Sequence, residues 1–388
     1  MNDGWRVGVL YSRSGVTAAV ETSQHNGTML AIEEINAAGG VLGRPLVPVV
    51  KDPASNPRLY GQLAAHLFRD AGVRSIFGCY MSSTRKAVMP ELDAHRGLLF
   101  YATLYEGFEY HPRIIYTGAA PNQNAMQLAR YILENYGHRF LFVGSNYLFP
   151  YESNRVMADL VRQVKGRVVE EIYVPLDCRR QDFDRVVREI RKHEPDVIFS
   201  TVVGSATAMF YSAYHEAGFD PAKMPIASLT TSEAEIAEMA PGVATGHLTA
   251  APFFEGLDTP AARAFVSTFK ARFGPQAAVT ACAEAAYFQV MLYAEALRRA
   301  GGDDPDLIVS HLLGLEYDAP QGRIRIDPDN HHTELWPRVG RVDASDRFEV
   351  VWNPGVRLKP EPYFVEPTLD EWTFARLRMK KQDLRSEP

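Results

Sequence analysis

The chain has 388 residues, 46% of them hydrophobic and 23% charged, enough apolar material for two globular domains with a core each. A formal net charge of -6 argues against the basic face that nucleic-acid surfaces show, and no run approaches the ~18 apolar residues of a membrane span. Cys79, Cys178 and Cys282 lie far apart in no metal-ligand spacing, so reduced thiols are expected in place of a disulfide framework or a zinc site.

Short β-branched or aromatic runs alternate with longer helical patterns, the signature of parallel sheets covered by helices. In chain order, strands are expected at 6–11, 46–51, 73–77, 98–101, 139–143, 168–173, 197–201, 226–228 and 246–250. Helices fall between them near 17–38, 58–71, 83–95, 123–136, 152–165, 182–193, 205–217 and 232–239. An Ala-rich helical block, 259–299, breaks near Gly274-Pro275, and a short helix follows Pro305. Hairpin-like segments then occupy 323–326, 339–343 and 348–352. The predicted class is α/β with two mainly parallel sheets, since this many βα steps exceed one compact sheet. Three hinge crossings are placed at Gly118–Asn124, at Ala250-Ala251-Pro252 and between Pro320 and Pro337. One lobe then holds 1–119 and 251–325, the other 120–250 and 326–375, with 376–388 a basic, solvated tail.

In open α/β sheets ligands sit at the carboxyl ends of the strands, so the strand-end loops are the candidate site. The richest is Gly78-Cys79-Tyr80-Met81-Ser82-Ser83-Thr84-Arg85-Lys86, which joins a strand to a helix opening at Ser83 or Thr84. Either Ser83 caps the helix and Tyr80 packs, or these hydroxyls and the unpaired N–H groups of the helix start face a neutral ligand. Ser12–Gly15, Tyr101–Tyr110, Gly144–Pro150, Val203–Ser205 and Thr230–Ser232 are equally dense in Tyr, Ser and Thr.

No Gly-x-Ser-x-Gly elbow, Walker loop or Gly-x-Gly-x-x-Gly fingerprint occurs, and no histidine lies in these loops to serve as base for Cys79. A binding protein without cofactor or metal is expected, not an enzyme. His331-His332, with Asp327 and Asp329 nearby, reads as a solvated loop. Without a basic segment and apolar run at Met1–Val7, the expected compartment is the cytoplasm, or the periplasm if a signal peptide precedes this sequence.

Several strings carry a specific resemblance. Gly78–Ser82 with Thr84–Pro90, Tyr105–Tyr110, Ala120–Asn124, Ser200–Gly204 and Ser228–Glu235 closely resemble the amide-sensing negative regulators of bacterial amidase operons. The similarity runs from the first strand to Tyr363 and on to Asp370-Glu371-Trp372. A more distant likeness, through Arg85–Ala87, Tyr105–Gly107 and Gly118–Gln123, is to urea-binding receptors of ABC transporters. The resemblance implies the type I periplasmic-binding fold of the branched-chain amino-acid-binding kind. It also implies a receptor for short aliphatic amides or urea that restrains an RNA-binding antiterminator protein, or else serves a transporter. Neither direct nucleic-acid binding nor a membrane is implied, and a homo-oligomer is allowed.

Carried over residue by residue, the amide contacts fall on Tyr80, Ser82, Tyr101, Thr103 and Tyr147, with Thr230 or Thr231 closing from the second lobe. The chain departs from the amidase regulators at Leu104 (proline there), Ser83 (histidine) and Phe149 (tyrosine), changes that alter pocket volume and remove a hydroxyl. Amino-acid receptors must neutralise an ammonium group, whereas Glu106 and Glu109 lie past the inferred contacts, so a neutral ligand is expected. A four-heavy-atom ligand gains at most ~6 kcal/mol, a dissociation constant of tens of micromolar at best.

Overall fold

The structure is a computed structural model and describes residues 4–364. Asp370-Glu371-Trp372 and the basic tail at 376–388 lie outside the described residues.

The first sheet is built from β1 (Trp5–Leu10), β2 (Leu46–Lys51), β3 (Ser75–Gly78), β4 (Leu98–Tyr101) and β5 (Ile114–Tyr116), in the order β2-β1-β3-β4-β5. Every neighbouring pair is parallel. β1, β3 and β4 are buried almost throughout, which explains their continuous apolar runs. Helices α1 (Ala18–Ala37), α2 (Pro57–Arg69) and α3 (Ser82–His95) make the crossovers. α2 starts where its pattern demands: the Asn56 side chain accepts from the Arg58 and Leu59 N–H groups, and Pro57 takes the first turn.

The second sheet has the order β15-β14-β10-β9-β8-β6-β7. Its strands are β6 (Arg139–Ser145), β7 (Arg167–Val174), β8 (Val197–Thr201), β9 (Ile226–Ser228), β10 (Leu248–Ala251), β14 (Arg338–Val342) and β15 (Phe348–Trp352). It is parallel except where β14 pairs with β10 and β15. Around it lie α4 (Ala125–Asn135), α5 (Leu148–Gln163), α6 (Phe183–His193), α7 (Ala206–Glu216) and the one-turn α8 (Glu233–Ile236).

After β10 the chain returns to the first lobe as α9 (Pro260–Phe273), α10 (Ala281–Ala300) and α11 (Pro305–Leu312). α10 packs so closely on α1 that a Cβ at Gly27 would stand 2.2 Å from the Ala283 carbonyl oxygen. A small antiparallel sheet of β11 (Glu316–Ala319), β12 (Gly322–Ile326) and β13 (Thr333–Glu334) precedes the final passage to β14. Ile326 and Leu335 pack into the first lobe's core, which carries that lobe about ten residues past the boundary expected at 325. The chain thus changes sheets after Tyr116, after Ala251 and before Arg338. Ile114–Tyr116 is a strand the sequence did not signal; three residues following His111-Pro112 become one because β4 offers them a parallel edge.

Candidate functional site

The carboxyl ends of the two sheets face each other across the hinge. From the first lobe come the loops after β1, β3 and β4; from the second, those after β6, β8 and β9. The lobes touch directly where the Ser205 N–H donates to the Val16 carbonyl at 3.0 Å. Gly204, at φ +63°, makes that approach possible, because a Cβ there would lie 2.1 Å from the Val16 oxygen.

A small cavity lies in the cleft. Six of the seven expected residues line it: Tyr80, Ser82, Tyr101 and Thr103 from the first lobe, Tyr147 and Thr230 from the second. Leu104, Phe149 and Val203 supply apolar wall, so two of the three departures from the amidase regulators fall on it. Thr231 is turned away, its hydroxyl 2.9 Å from that of Tyr211, and it borders a neighbouring cavity instead.

The hydroxyls divide into two sets. The Tyr101 hydroxyl donates to the Tyr80 carbonyl at 2.6 Å, and the Thr230 hydroxyl to the Val202 carbonyl at 2.6 Å. Thr103 Oγ1 accepts from Gln24 Nε2 at 3.0 Å. These three keep acceptor lone pairs but are fixed in place. The hydroxyls of Tyr80, Ser82 and Tyr147 make no hydrogen bond among the described residues, so donor and acceptor both remain open. Burial lifts the Tyr80, Tyr101 and Tyr147 hydroxyls well above the ordinary tyrosine range, so all three stay protonated donors near neutral pH.

Local backbone explains why Ser82 is available. α3 begins at Ser82, with Met81 as its N-cap and no side-chain cap, so neither Ser82 nor Ser83 is consumed in capping. Within the first turn the Thr84 and Arg85 N–H groups both donate to the Met81 carbonyl at 3.0 Å, which closes the helix start without either serine. Tyr147 holds the equivalent place in the second lobe as the extended N-cap of α5.

No charged side chain lines the cavity. The nearest cation, Arg85, is fully buried one turn along α3, with Nη2 2.7 Å from Glu106 Oε1 and Nε 2.7 Å from Glu109 Oε1. Lys86 also pairs with Glu109. Burial by itself would raise the Glu109 carboxyl, but Arg85 and Lys86 outweigh it and hold that group below its ordinary value. The Arg85 guanidinium lies over the Tyr101 ring, 4.7 Å from its centroid, and so stiffens the pocket wall while its charge is spent elsewhere. On the second lobe, buried Glu235 has one oxygen occupied by Ser232, and burial pushes its carboxyl up to about 7.

Cys79 is buried at φ +70°, and burial pushes its thiol far above the ordinary range, so no thiolate is available at neutral pH. His331 and His332 are buried, contrary to the solvated loop expected. His332 stacks flat on Tyr116 at 4.2 Å, and burial pushes it down to about 3. Gln24, which positions Thr103, was not anticipated; its signal in sequence is a run of polar residues, Glu21, Gln24 and Thr28, at helical spacing on a face that also carries Val20, Ala31 and Ile35.

Comparison with known proteins adds the following. The model of the periplasmic binding protein domain family matches residues 5–368. Over 326 residues, 81% of this chain and 83% of the relative, the sequence is 23% identical to the leucine-, isoleucine-, valine-, threonine- and alanine-binding protein of Pseudomonas aeruginosa. A shorter stretch of 127 residues is 26% identical to limonene hydroxylase of Geobacillus stearothermophilus. That match takes in 33% of this chain and spans only 23% of that relative's length. Among solved structures, the solute binding protein of an ABC transporter from Rhodopseudomonas palustris BisB5, in complex with 3,4-dihydroxybenzoic acid, superposes with a TM-score of 0.82 at 20% identity. The superposition covers 92% of this chain and 98% of that one, and establishes a common fold.

Proposed function

This chain belongs to the periplasmic binding protein family, and from that premise we propose that its lobes close on a small uncharged amide, either a short aliphatic amide or urea. One observation carries the reading: the polar side chains that line the cavity are all neutral hydroxyls, while the adjacent cation is already matched by Glu106 and Glu109. An amide offers a carbonyl acceptor and N–H donors but no net charge. Tyr80, Ser82 and Tyr147 answer both needs, because each hydroxyl donates and accepts. A zwitterionic amino acid would bury an ammonium beside hydroxyls alone, which costs several kcal/mol without a counter-ion.

Two physiological settings share this pocket. The likeness to a solute binding protein of an ABC transporter and to an amino-acid-binding protein supports a transport receptor working in the periplasm. The motif strings around Tyr80, Glu106 and Thr230 support a cytoplasmic sensor that releases an antiterminator protein when amide binds. Among the described residues no helix is long and apolar enough to cross a membrane, which suits either.

Titration calorimetry tests the ligand. Urea or acetamide binds, leucine and benzoate do not, and Ser82→Ala weakens the amide by about 1–3 kcal/mol. Heat from leucine or benzoate, with none from urea or any amide, would sink the proposal. Capture of a purified antiterminator that amide reverses selects the sensor; indifference to amide selects the transport receptor.

A further inference from the structure

The hydroxyl-lined pocket adjoins a second, larger cavity, with which it shares Tyr80, Leu104 and Thr230. This second space runs to the hinge, bordered by Ala119 and Asn124 of the first crossing, Ala250–Pro252 of the second, and Ala281 and Cys282 at the start of α10. Its walls are mostly apolar and carry no charged side chain.

Apart from Tyr80, which it shares with the small pocket, nearly all its polar side chains are already engaged. Asn124 caps α4 through its carbonyl oxygen and reaches the Ala119 oxygen with its amide. Thr231 meets Tyr211, and Ser232 meets Glu235. Burial keeps the Cys282 thiol neutral. Thr249 is the exception: it is 4% exposed, and its hydroxyl has no partner among the described residues. A buried hydroxyl in an apolar wall is costly unless something supplies a partner. A ligand confined to the small pocket would leave both the apolar wall and that hydroxyl uncovered.

Building on the amide reading, we propose that this cavity is the subsite for the ligand's tail. The ligand is an uncharged primary amide whose head lies among Tyr80, Ser82 and Tyr147. Its short aliphatic chain runs toward the hinge and carries one neutral polar atom that meets the Thr249 hydroxyl. Such a tail touches both crossings and both lobes, so its length also biases lobe closure; urea, having no tail, gains none of this.

The test is calorimetry on the full chain with urea, acetamide, propionamide, butyramide and 4-hydroxybutyramide. Affinity rises roughly fourfold per methylene from acetamide to butyramide, as burial of each CH₂ requires. The hydroxylated amide binds tighter than butyramide, and Thr249→Val abolishes that advantage. Ala281→Leu, which fills the cavity from the start of α10, flattens the chain-length series. Acetamide or urea binding with no dependence on chain length overturns the tail subsite and leaves the amide reading standing, whereas no binding by any amide overturns both. An undiminished hydroxyl advantage in Thr249→Val overturns the Thr249 contact. Should either variant fail to fold, the series on the native chain decides alone.

Discussion

Two neighbouring turns of α3 are treated in opposite ways. At its start, Ser82 and the preceding Tyr80 are buried with hydroxyls that bond to nothing among the described residues. One turn later Arg85 is buried just as deeply, yet its guanidinium is matched by two glutamates and covered by two tyrosine rings. The difference shows how a pocket is kept neutral next to a charge. Leaving Arg85 unmatched would cost far more than leaving a hydroxyl open, so the fold completes the ionic cluster internally and reserves the modest capacity for a ligand. On the proposed reading, stability resides in one turn and recognition in the other.

The harshest way to break this division is Arg85→Met, which strands Glu106 and Glu109 in a buried site. It is expected to cost about 3–5 kcal/mol of folding stability, read from the midpoint of urea unfolding. An unchanged midpoint would mean that the cluster does not secure these loops.

Acidity sharpens the same contrast. Burial raises Glu21 and Glu235 to about 7 and Glu233 and Glu284 to about 8, none of them facing a full ion pair as Glu109 does. The folded chain therefore holds protons that the unfolded chain releases above the usual value of 4.5. From these carboxyls, stability is fullest below that point and falls as pH rises from about 5 to about 8, whereas His247 and His332, held down to about 3 by burial, act the other way below about 7. Glu109 runs the other way: its folded value is depressed, so its contribution is present above the ordinary carboxyl range and disappears as pH falls through the folded value. Melting temperatures that climb between pH 7 and pH 8, above the histidine range, would contradict the assignment of the four raised glutamates.

At the recognition end, Ser82→Ala should weaken amide binding by about 1–3 kcal/mol, with a far smaller change in unfolding midpoint than Arg85→Met. Equal losses in binding and stability would erase the distinction between the two turns. Smallest of all, Phe149→Tyr restores a hydroxyl to the wall from the second lobe and should tighten amide binding by about 0.5–1.5 kcal/mol. Weaker binding would show that the cavity has no room for the added oxygen.

The alternation of apolar runs and helical patterns was enough to place most strands within two residues, because buried parallel strands need continuous apolar sequence whatever surrounds them. The helix starts at Asn56-Pro57, Thr259-Pro260 and Asp304-Pro305 are equally local, since a cap and its N–H partners lie within three residues. The strand-end loops, and the neutral character of their Tyr, Ser and Thr, were likewise legible before any coordinates.

Orientation was not. Thr230 and Thr231 are adjacent and chemically identical, yet one lines the small cavity and the other bonds Tyr211, a choice made by the packing of α7 beneath them. His331-His332 has the composition of a wet loop and is buried because Tyr116 offers a ring to stack on. Thr249 is one residue of a short strand in sequence, and only the fold sets it, its hydroxyl unpartnered among the described residues, in the wall of the second cavity. Periodicity, capping and loop chemistry act within a few residues and are written in the chain itself. Which buried groups find partners depends on segments from about 20 to more than 200 residues apart, and that was decided only by tertiary packing.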